Sequence, residues 1–213
     1  MKDVVIIGAG GFGREMYPRF DMVNKETGPE WNLLGMIDEN ATSTPEGYPI
    51  LGKLEDFLKM DKSVQYFIAV ANMDAREKIA NRCKEAGFTA ATVIMHHLTK
   101  IDPEVEIGEG SYLGGGIYKR GCKVGAHCII QGGSLLCRGA EIGDFTSVMT
   151  SSVFGRNAKI GRKNYFGLRC NVADGVKTAE NCTFGACATV TEDTTAPGVY
   201  AGVPAVLKKP LQK

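Results

Sequence analysis

The stretch CKVGAHCIIQGGSLLCRGAEIGDFTSV, residues 122–148, contains a repeat of six residues that continues well beyond it. We call the positions of its large residues the large column. They are Val124, Ile130, Leu136, Ile142, Val148, Phe154, Ile160, Phe166, Val172, Thr178, Phe184 and Val190. All of them except Thr178 are apolar. Neither an α-helix nor a simple strand repeats every six residues, so the pattern indicates another regular structure.

A second column, which we call the small column, lies two residues before the first. Its members are Cys122, Cys128, Ser134, Ala140, Thr146, Ser152, Ala158, Asn164, Cys170, Val176, Cys182 and Ala188. One large and one small residue in each hexad are typical of a short strand followed by a tight corner. Three such hexads close one triangular coil. The repeat therefore predicts a β-helix solenoid, whose coils stack about 4.8 Å apart and bury each column along the axis.

Glycine often follows the large column, as in Gly125, Gly143, Gly155, Gly161, Gly167 and Gly185. Glycine is expected there either because a corner needs positive φ or because backbones approach closely. The register slips by one residue before Tyr118, and Gly114-Gly115-Gly116 is the expected place. We expect a loosened corner or a small loop at these glycines.

Residues 1–92 follow another pattern, in which buried strands alternate with helices. The predicted elements are a strand Val4–Ile7, a helix Arg14–Phe20, strands Leu33–Ile37 and Tyr66–Val70, helices Leu54–Met60 and Ala75–Ala86, and a last strand Thr89–Ile94. This alternation predicts a small, doubly wound α/β domain, Rossmann-like in its order. We therefore expect three segments: this domain in residues 1–92, a β-helix domain in residues 93–195, and an extended C-terminal tail in residues 196–213.

A glycine-rich loop, Gly8-x-Gly10-x-x-Gly13, connects the first predicted strand to the first helix. Backbone N–H groups in such a loop can receive a phosphate. The acids Asp38 and Glu39 follow the second strand, where a ribose-binding carboxylate usually stands. Three interpretations remain open: a tight turn without a ligand, an NAD-binding dehydrogenase, or a site for a mononucleotide such as the UDP of a sugar nucleotide. The last suits a domain of about 90 residues better, because that length supplies only half of a dinucleotide fold.

Composition narrows the class of protein. The 213 residues carry a net charge of +1 with a pI near 7.5, which argues against nucleic acid as the main partner. The sequence predicts neither a membrane span nor a signal peptide, so we expect a cytoplasmic protein. Of seven cysteines, Cys122, Cys128, Cys170 and Cys182 belong to the small column, where a thiol packs as a small hydrophobe. No CxxC pair exists, and no metal site is expected.

The whole chain resembles the bacterial sugar acyltransferases of the PglD and NeuD type. The matching stretches are residues 6–15 (IIGAGGFGRE), residues 34–38 (LGMID), residues 69–79, the hexads, and residues 201–205 (AGVPA). The resemblance implies a left-handed parallel β-helix and a homotrimer. It also implies an N-terminal domain that holds a nucleotide-linked sugar, and acetyl-CoA as co-substrate along the β-helix. The implied reaction is transfer of an acetyl group to a sugar amine or hydroxyl in surface glycan biosynthesis, without a metal, nucleic acid or membrane partner.

The same resemblance suggests which residues bind. For the nucleotide sugar they are Gly10, Gly11, Phe12, Gly13, Asp38 and Asn72. For the acyl-CoA they are Gly167, Gly185 and Ala186, since a pantetheine arm runs close to backbone that lacks side chains. A purely structural role of these corner residues is the alternative.

One position departs from the family. Its members usually place a catalytic histidine, the general base, where this chain has Arg138, and often a glutamate where it has Cys137. Arginine stays protonated and is no ordinary base. Several explanations remain open: His127 acts instead, the amine arrives deprotonated or loses its proton through water, or the protein kept binding and lost acyl transfer. A surface corner histidine without a catalytic role is the other interpretation of His127.

Arg138 also belongs to a series of arginines. Arg120, Arg138 and Arg156 are spaced eighteen residues apart, one coil each, so they are expected to stack about 5 Å apart. Either the three side chains splay into water, or an anion lies across them.

Overall fold

A computed structural model of the chain describes residues 1–210, so residues 211–213 of the predicted tail lie outside the described residues. The chain divides into two compact units, of which the first is Met1–His96 and the second begins at His97. Within residues 1–210, no helix is both long enough and apolar enough to cross a bilayer.

The first unit is a four-stranded parallel sheet with helices between its strands. Its elements are β1 (Lys2–Ile7), α1 (Gly11–Thr27), β2 (Trp31–Ile37), β3 (Ile50–Gly52), α2 (Leu54–Phe57), β4 (Gln65–Ile68), α3 (Met73–Glu85) and β5 (Val93–Ile94). The sheet order is β3-β2-β1-β4, all three pairings are parallel, and the short strand β5 is not part of this sheet. This arrangement confirms the predicted α/β unit, to which the structure adds the short strand β3.

Helix α1 has 17 residues and is longer at both ends than the predicted Arg14–Phe20. Its buried residues include Met16, Phe20 and Val23, which follow one face at intervals of four and three. The ring of Phe20 meets those of Trp31 and Phe67 edge-on, at 6.0 and 6.3 Å between centroids. This packing against the sheet stabilises a helix that begins at Gly11, although the glycines there had suggested a loop.

The second unit is the predicted β-helix, with a short 3₁₀ turn at His96–Leu98 before it. Face one contains β7 (Glu106–Ile107), β10 (Lys123–Val124), β13 (Glu141–Ile142), β16 (Lys159–Ile160) and β19 (Lys177–Thr178). Face two contains β8 (Tyr112–Leu113), β11 (Ile129–Ile130), β14 (Ser147–Val148), β17 (Tyr165–Phe166), β20 (Thr183–Phe184), β22 (Gly198–Ala201) and β23 (Val206–Pro210). Face three contains β6 (Thr99–Ile101), β9 (Gly116–Tyr118), β12 (Ser134–Leu136), β15 (Val153–Phe154), β18 (Asn171–Val172) and β21 (Thr189–Val190).

The register confirms three hexads in a coil. Val124 pairs with Ile142, and Ile142 pairs with Ile160, eighteen residues apart each time. Every residue of the large and small columns is buried. Inside the helix, the rings of Phe166 and Phe184 stack at 4.5 Å between centroids. The side chains of both columns therefore form the core of the second unit.

The four small-column cysteines are fully buried, which confirms their prediction as core residues. All seven cysteines are free thiols. The Cys170 thiol donates to the carbonyl of Gly185 at 3.1 Å, and the Cys122 thiol donates to that of Cys137 at 3.0 Å. These thiols therefore contribute hydrogen bonds between coils as well as apolar packing.

Residues with a positive φ, the left-handed backbone conformation, lie at the corners, and most of them are not glycine. One corner has His127, Phe145, Lys163 and Asn181 at φ between 52° and 59°, spaced eighteen residues apart. The glycines that follow the large column serve another purpose. A Cβ on Gly143 would lie 2.6 Å from the backbone nitrogen of Arg162 on the next coil. Close approach of successive coils, and not positive φ, therefore explains these glycines, with the exception of Gly185, which has room for a Cβ.

The first complete coil is one residue short. Thr99 pairs with Gly116 and Ile101 with Tyr118, a spacing of seventeen residues. Gly115 and Gly116 have φ of 119° and 145°, values that favour glycine. The expectation of a loosened corner or a loop was therefore wrong, because the glycines tighten this corner.

The tail is more regular than predicted. Strand β22 extends face two in parallel next to β20, and β23 returns antiparallel to β22. The predicted extended segment thus forms a hairpin that continues one face of the β-helix through residue 210.

Candidate functional site

A cleft of about 620 Å³ lies in the first unit, at the carboxyl ends of β1 and β2 and beside α3. Its lining residues are Ile7, Gly8, Ile37, Asp38, Glu39, Asn40, Leu54, Val70, Ala75, Lys78, Ile79 and Arg82. In open α/β sheets, this edge of the strands is where ligands bind. The cleft is therefore the candidate binding site of the first unit.

Asp38 connects the two loops at this edge. Its Oδ2 accepts a hydrogen bond from the N–H of Ala9 at 2.8 Å, and its Oδ1 accepts from those of Asn40 and Ala41, both at 2.9 Å. Burial alone would raise the pKa of Asp38, but these three donors together outweigh it and hold the pKa below its ordinary value. The carboxylate thus stays charged and positions the glycine loop.

The glycines of the loop have two different roles. A Cβ on Gly13 would lie 1.8 Å from the carbonyl oxygen of Gly8, so Gly13 lets the helix approach the strand. Gly10 and Gly11 are exposed, and a Cβ on either would meet no atom within 4 Å. Helix α1 begins at Gly11 and has no acid in its first turn. The structure therefore leaves open backbone at a helix N-terminus, which favours an anion.

The other two residues predicted for the nucleotide have structural contacts. The ring of Phe12 is half-buried and packs edge-on against Phe67 at 6.3 Å between centroids, so it contributes to the packing of α1 on the sheet. Asn72 is the N-cap of α3, and its side-chain oxygen accepts from the N–H of Ala75 at 2.8 Å. Its side-chain N–H₂ group is the remaining donor.

Sequence reasoning missed the contribution of α3 to the cleft. Ala75, Lys78, Ile79 and Arg82 follow one helical face with intervals of three, one and three residues. Arg82 also forms an ion pair with Glu55. The spacing could have identified this face as a common surface, but nothing in the sequence showed that it faces a cleft and not the solvent.

In the second unit, the corner after face three carries the arginine series. We call it the arginine corner, and it comprises residues 119–122, 137–140, 155–158 and 173–176. The N–H of Gly139 donates to the carbonyl of Arg120 at 3.2 Å, and that of Asn157 donates to the carbonyl of Arg138 at 3.0 Å. These bonds place the arginines on successive coils, as predicted. Arg138 is exposed and Cys137 is half-buried.

His127 lies on another corner, the one between faces one and two. Its side chain is only 5% exposed, and its ring stacks on Phe145 at 5.2 Å between centroids with an angle of 11°. The interpretation of His127 as a surface corner histidine was therefore wrong. Since Arg138 belongs to the corner after face three, the structure places these two catalytic candidates on separate corners of the same unit.

The three residues predicted for the acyl-CoA share the corner between faces two and three. A Cβ on Gly167 would lie 2.7 Å from the backbone nitrogen of Ala186, so coil stacking alone requires this glycine. Gly185 has more room, since its nearest neighbour would be the Cβ of Ala201 at 3.4 Å. Ala186 is exposed. Gly185 and Ala186 thus leave accessible backbone, whereas Gly167 is buried.

A groove of about 510 Å³ runs along face one. Four of its five charged residues form ion pairs, Glu106 with Lys123 at 2.9 Å and Glu141 with Lys159 at 3.3 Å, and the fifth, Asp144, accepts the backbone N–H of Ala126 at 2.8 Å. The groove therefore presents little unbalanced charge. Across residues 1–210, no group of three or more His, Cys, Asp or Glu side chains is arranged to hold a metal ion.

Comparisons with known proteins agree with this architecture. Residues 3–83 match the family model of the PglD N-terminal domain. The whole chain is similar to a histidine-to-asparagine mutant of perosamine N-acetyltransferase from Caulobacter crescentus in complex with CoA and GDP-perosamine. The identity is 21%, the TM-score is 0.74, and the match covers 97% of this chain and 96% of that one.

Two further solved structures share the fold. The acetyltransferase domain of PglB from Neisseria gonorrhoeae FA1090, in complex with acetyl coenzyme A, is 20% identical with a TM-score of 0.52 and 99% coverage of both chains. WeeI from Acinetobacter baumannii AYE is 22% identical with a TM-score of 0.51 and covers 96% of this chain and 98% of that one. Comparison with curated protein sequences gives no match. The predicted resemblance is confirmed: a PglD-type first unit precedes a left-handed parallel β-helix.

Proposed function

We propose that this protein, with its PglD-type first unit and its β-helix, is an acyltransferase of surface glycan biosynthesis. It transfers an acetyl group from acetyl-CoA to a nucleotide-linked sugar. The observation that carries the proposal is the fold shared over 97% of the chain with an N-acetyltransferase bound to CoA and GDP-perosamine. We place the protein in the cytoplasm, where acetyl-CoA and nucleotide sugars are made.

The nucleotide sugar binds in the cleft of the first unit. Its phosphates lie at the N-terminus of α1, where the exposed backbone of Gly10 and Gly11 and the helix dipole favour negative charge. Asp38 holds this loop in place through Ala9. Lys78 on α3 contributes a further positive charge at the cleft wall.

The acetyl-CoA lies along the β-helix, with its pantetheine arm at the accessible backbone of Gly185 and Ala186. In the reaction, the sugar amine or hydroxyl attacks the thioester carbonyl. A new bond to the acetyl carbon forms, the C–S bond breaks, and the sulfur of CoA leaves as a thiolate that takes up a proton. Arg138 cannot accept the proton of the nucleophile. His127 is buried against Phe145 on a different corner from Arg138, so we assign the proton to water or to its loss before binding, and catalysis rests on positioning.

The protein acts as a homotrimer. Support comes from face three, where the outward side chains of Ile117, Leu135 and Val153 pair on successive coils and form an apolar stripe. Ile117 is 37% exposed. Contiguous apolar surface of this kind marks an interaction site. Size-exclusion chromatography with light scattering tests the state, and Leu135→Lys is expected to release monomers. A wild-type monomer would overturn this part of the proposal.

The first experiment incubates the purified protein with acetyl-CoA and a panel of UDP-, GDP- and dTDP-linked amino sugars, and measures products by mass spectrometry. A product heavier by one acetyl group is the expected result. No product across the panel, with folded protein and intact acetyl-CoA, would contradict the transferase.

The second candidate function is a binding protein that kept the fold and lost the reaction. It is favoured by the arginine corner, where Cys137 and Arg138 replace the residues that the family uses for proton transfer. A ligand that binds only the folded state must raise the melting temperature. Stabilisation by a nucleotide sugar but not by acetyl-CoA would therefore support this alternative.

A further inference from the structure

The charged residues of the arginine corner are unevenly paired. Arg156 donates to Asp174 on the following coil through Nε and through one terminal nitrogen, at 2.9 and 2.7 Å. At the other end, Asp102 forms an ion pair with Lys119 at 3.8 Å and accepts the backbone N–H of Arg120 at 3.3 Å. Asp174 therefore pairs with the side chain of Arg156, whereas Asp102 engages Lys119 and only the backbone of Arg120.

Within residues 1–210, the side chains of Arg120 and Arg138 lack the acidic partner that Arg156 has. In the part of the chain that the structure describes, no carboxylate contacts the guanidinium of Arg120 or of Arg138. Because the backbones of successive coils are about 4.8 Å apart, these two arginines are direct neighbours. Two neighbouring like charges without a counterion repel each other, and an anion between them relieves the repulsion.

We propose that Arg120 and Arg138 form a binding site for a phosphate group on the outside of the β-helix. A guanidinium presents a planar fork of N–H donors that matches phosphate and carboxylate oxygens. A carboxylate has two oxygens and one negative charge, so the guanidinium of a single arginine can satisfy it. A phosphate monoester has three free oxygens and nearly two charges, so it can accept from both forks. The site does not depend on the proposed acyl transfer.

The test is a titration of the full-length protein with inorganic phosphate at constant ionic strength, followed by the amide NMR signals of Gly121 and Gly139. We expect saturable shifts at these amides. Arg138→Gln and Arg120→Gln are each expected to weaken phosphate binding about tenfold, the loss of one charge-assisted contact. Arg169→Gln, which removes an exposed arginine from another corner, is expected to leave the affinity unchanged.

A parallel titration with acetate separates the two kinds of oxyanion. Acetate that shifts the same amides with equal affinity would overturn the phosphate site in favour of a carboxylate site. Absence of saturable shifts in the wild-type protein, or equal weakening in the Arg169→Gln variant, would overturn the proposal altogether. If a glutamine variant fails to fold, Arg138→Lys replaces it, since lysine keeps the charge and removes the fork. Weakened phosphate binding is then the expected result, and unchanged binding would contradict the site.

Discussion

The carboxylate of Asp38 lies 2.8 Å from the backbone nitrogen of Ala9, twenty-nine residues earlier in the chain. This bond ties the end of β2 to the loop between β1 and α1, and the other carboxylate oxygen holds the turn at Asn40 and Ala41. One side chain therefore shapes two walls of the cleft. Its position after β2 is that of a ribose-binding acid, but the hydrogen bonds show that it also organises the protein backbone.

We expect Asp38→Asn to lower the free energy of unfolding by about 1–2 kcal/mol, because the amide provides one neutral acceptor oxygen for three backbone donors. Nucleotide-sugar affinity is expected to fall as well, since the glycine loop loses its tie. Urea denaturation and a binding titration measure the two effects. For stability, the neighbouring Glu39→Gln variant is the control, because among residues 1–210 Glu39 accepts a single backbone N–H, from Leu54 at 3.2 Å. Equal losses in both variants would contradict the role of Asp38.

The pH dependence of stability follows from the lowered pKa of Asp38. A carboxylate with a depressed pKa contributes its full stabilisation above its ordinary pKa of about 3.9, and loses it as the pH falls toward the folded-state value. Below about pH 4, the wild-type protein is therefore expected to lose stability more steeply than Asp38→Asn. Parallel curves from pH 7 to pH 3 would show that the hydrogen bonds of Asp38 do not stabilise the charged form.

The two kinds of glycine in the loop are expected to respond oppositely to alanine. Gly13→Ala places a methyl group against the carbonyl of Gly8 and should cost at least about 2 kcal/mol of stability. Gly11→Ala meets no atom within 4 Å and should leave stability unchanged or raise it by about 0.5 kcal/mol. If the N–H groups there bind phosphate, Gly11→Ala should still weaken nucleotide binding. Thermal unfolding of both variants measures the change in stability, and titration with the nucleotide sugar measures the change in affinity.

Asn164 is the buried amide of the small column, and its hydrogen bonds join successive coils. Its Nδ2 donates to Thr178 Oγ1 at 2.7 Å and to the carbonyl of Ala179 at 2.9 Å, while its Oδ1 accepts from the N–H of Cys182 at 2.6 Å. Asn164→Leu leaves these groups buried without their partner, so we expect a loss of about 2–4 kcal/mol in urea denaturation. The exposed Asn171→Ala should cost about 0.5 kcal/mol or less.

The reactivity of each thiol should decrease as its burial increases. Cys187 is exposed and Cys137 is half-buried, whereas the other five cysteines are buried, and burial raises the pKa of the Cys170 thiol to about 11. Because the thiolate is the reactive form, a chromogenic aromatic disulfide at pH 8 should label Cys187 fastest and Cys137 more slowly. The remaining thiols should react only after unfolding. Cys187→Ser should remove the fast phase, and more than two reactive thiols in the native protein would contradict the packing.

The sequence alone determined the architecture of the second unit. In a β-helix, each coil packs chiefly on its two neighbours, so the requirement for a large or a small residue recurs at a fixed interval along the chain. The buried positions of the large and small columns from Cys122 to Val190 could therefore be predicted one by one, whereas buried residues outside the columns, such as His127 and Phe145, could not. The order of strands and helices in the first unit was predictable for a similar reason, since local hydrophobic patterns and the glycine loop mark its elements.

The tertiary structure decided what the side chains at the candidate sites do. The carboxylate of Asp38 meets the N–H of a residue in another loop, His127 stacks on Phe145 one coil away, and Lys78 faces a cleft formed by strands from elsewhere in the chain. Such contacts join residues that are distant in the chain, and they produce no periodic pattern in the sequence from which they could be predicted. The sequence of this protein therefore determines its coils and its parallel sheet, whereas the burial, charge and partners of each candidate residue are set by how the folded elements meet.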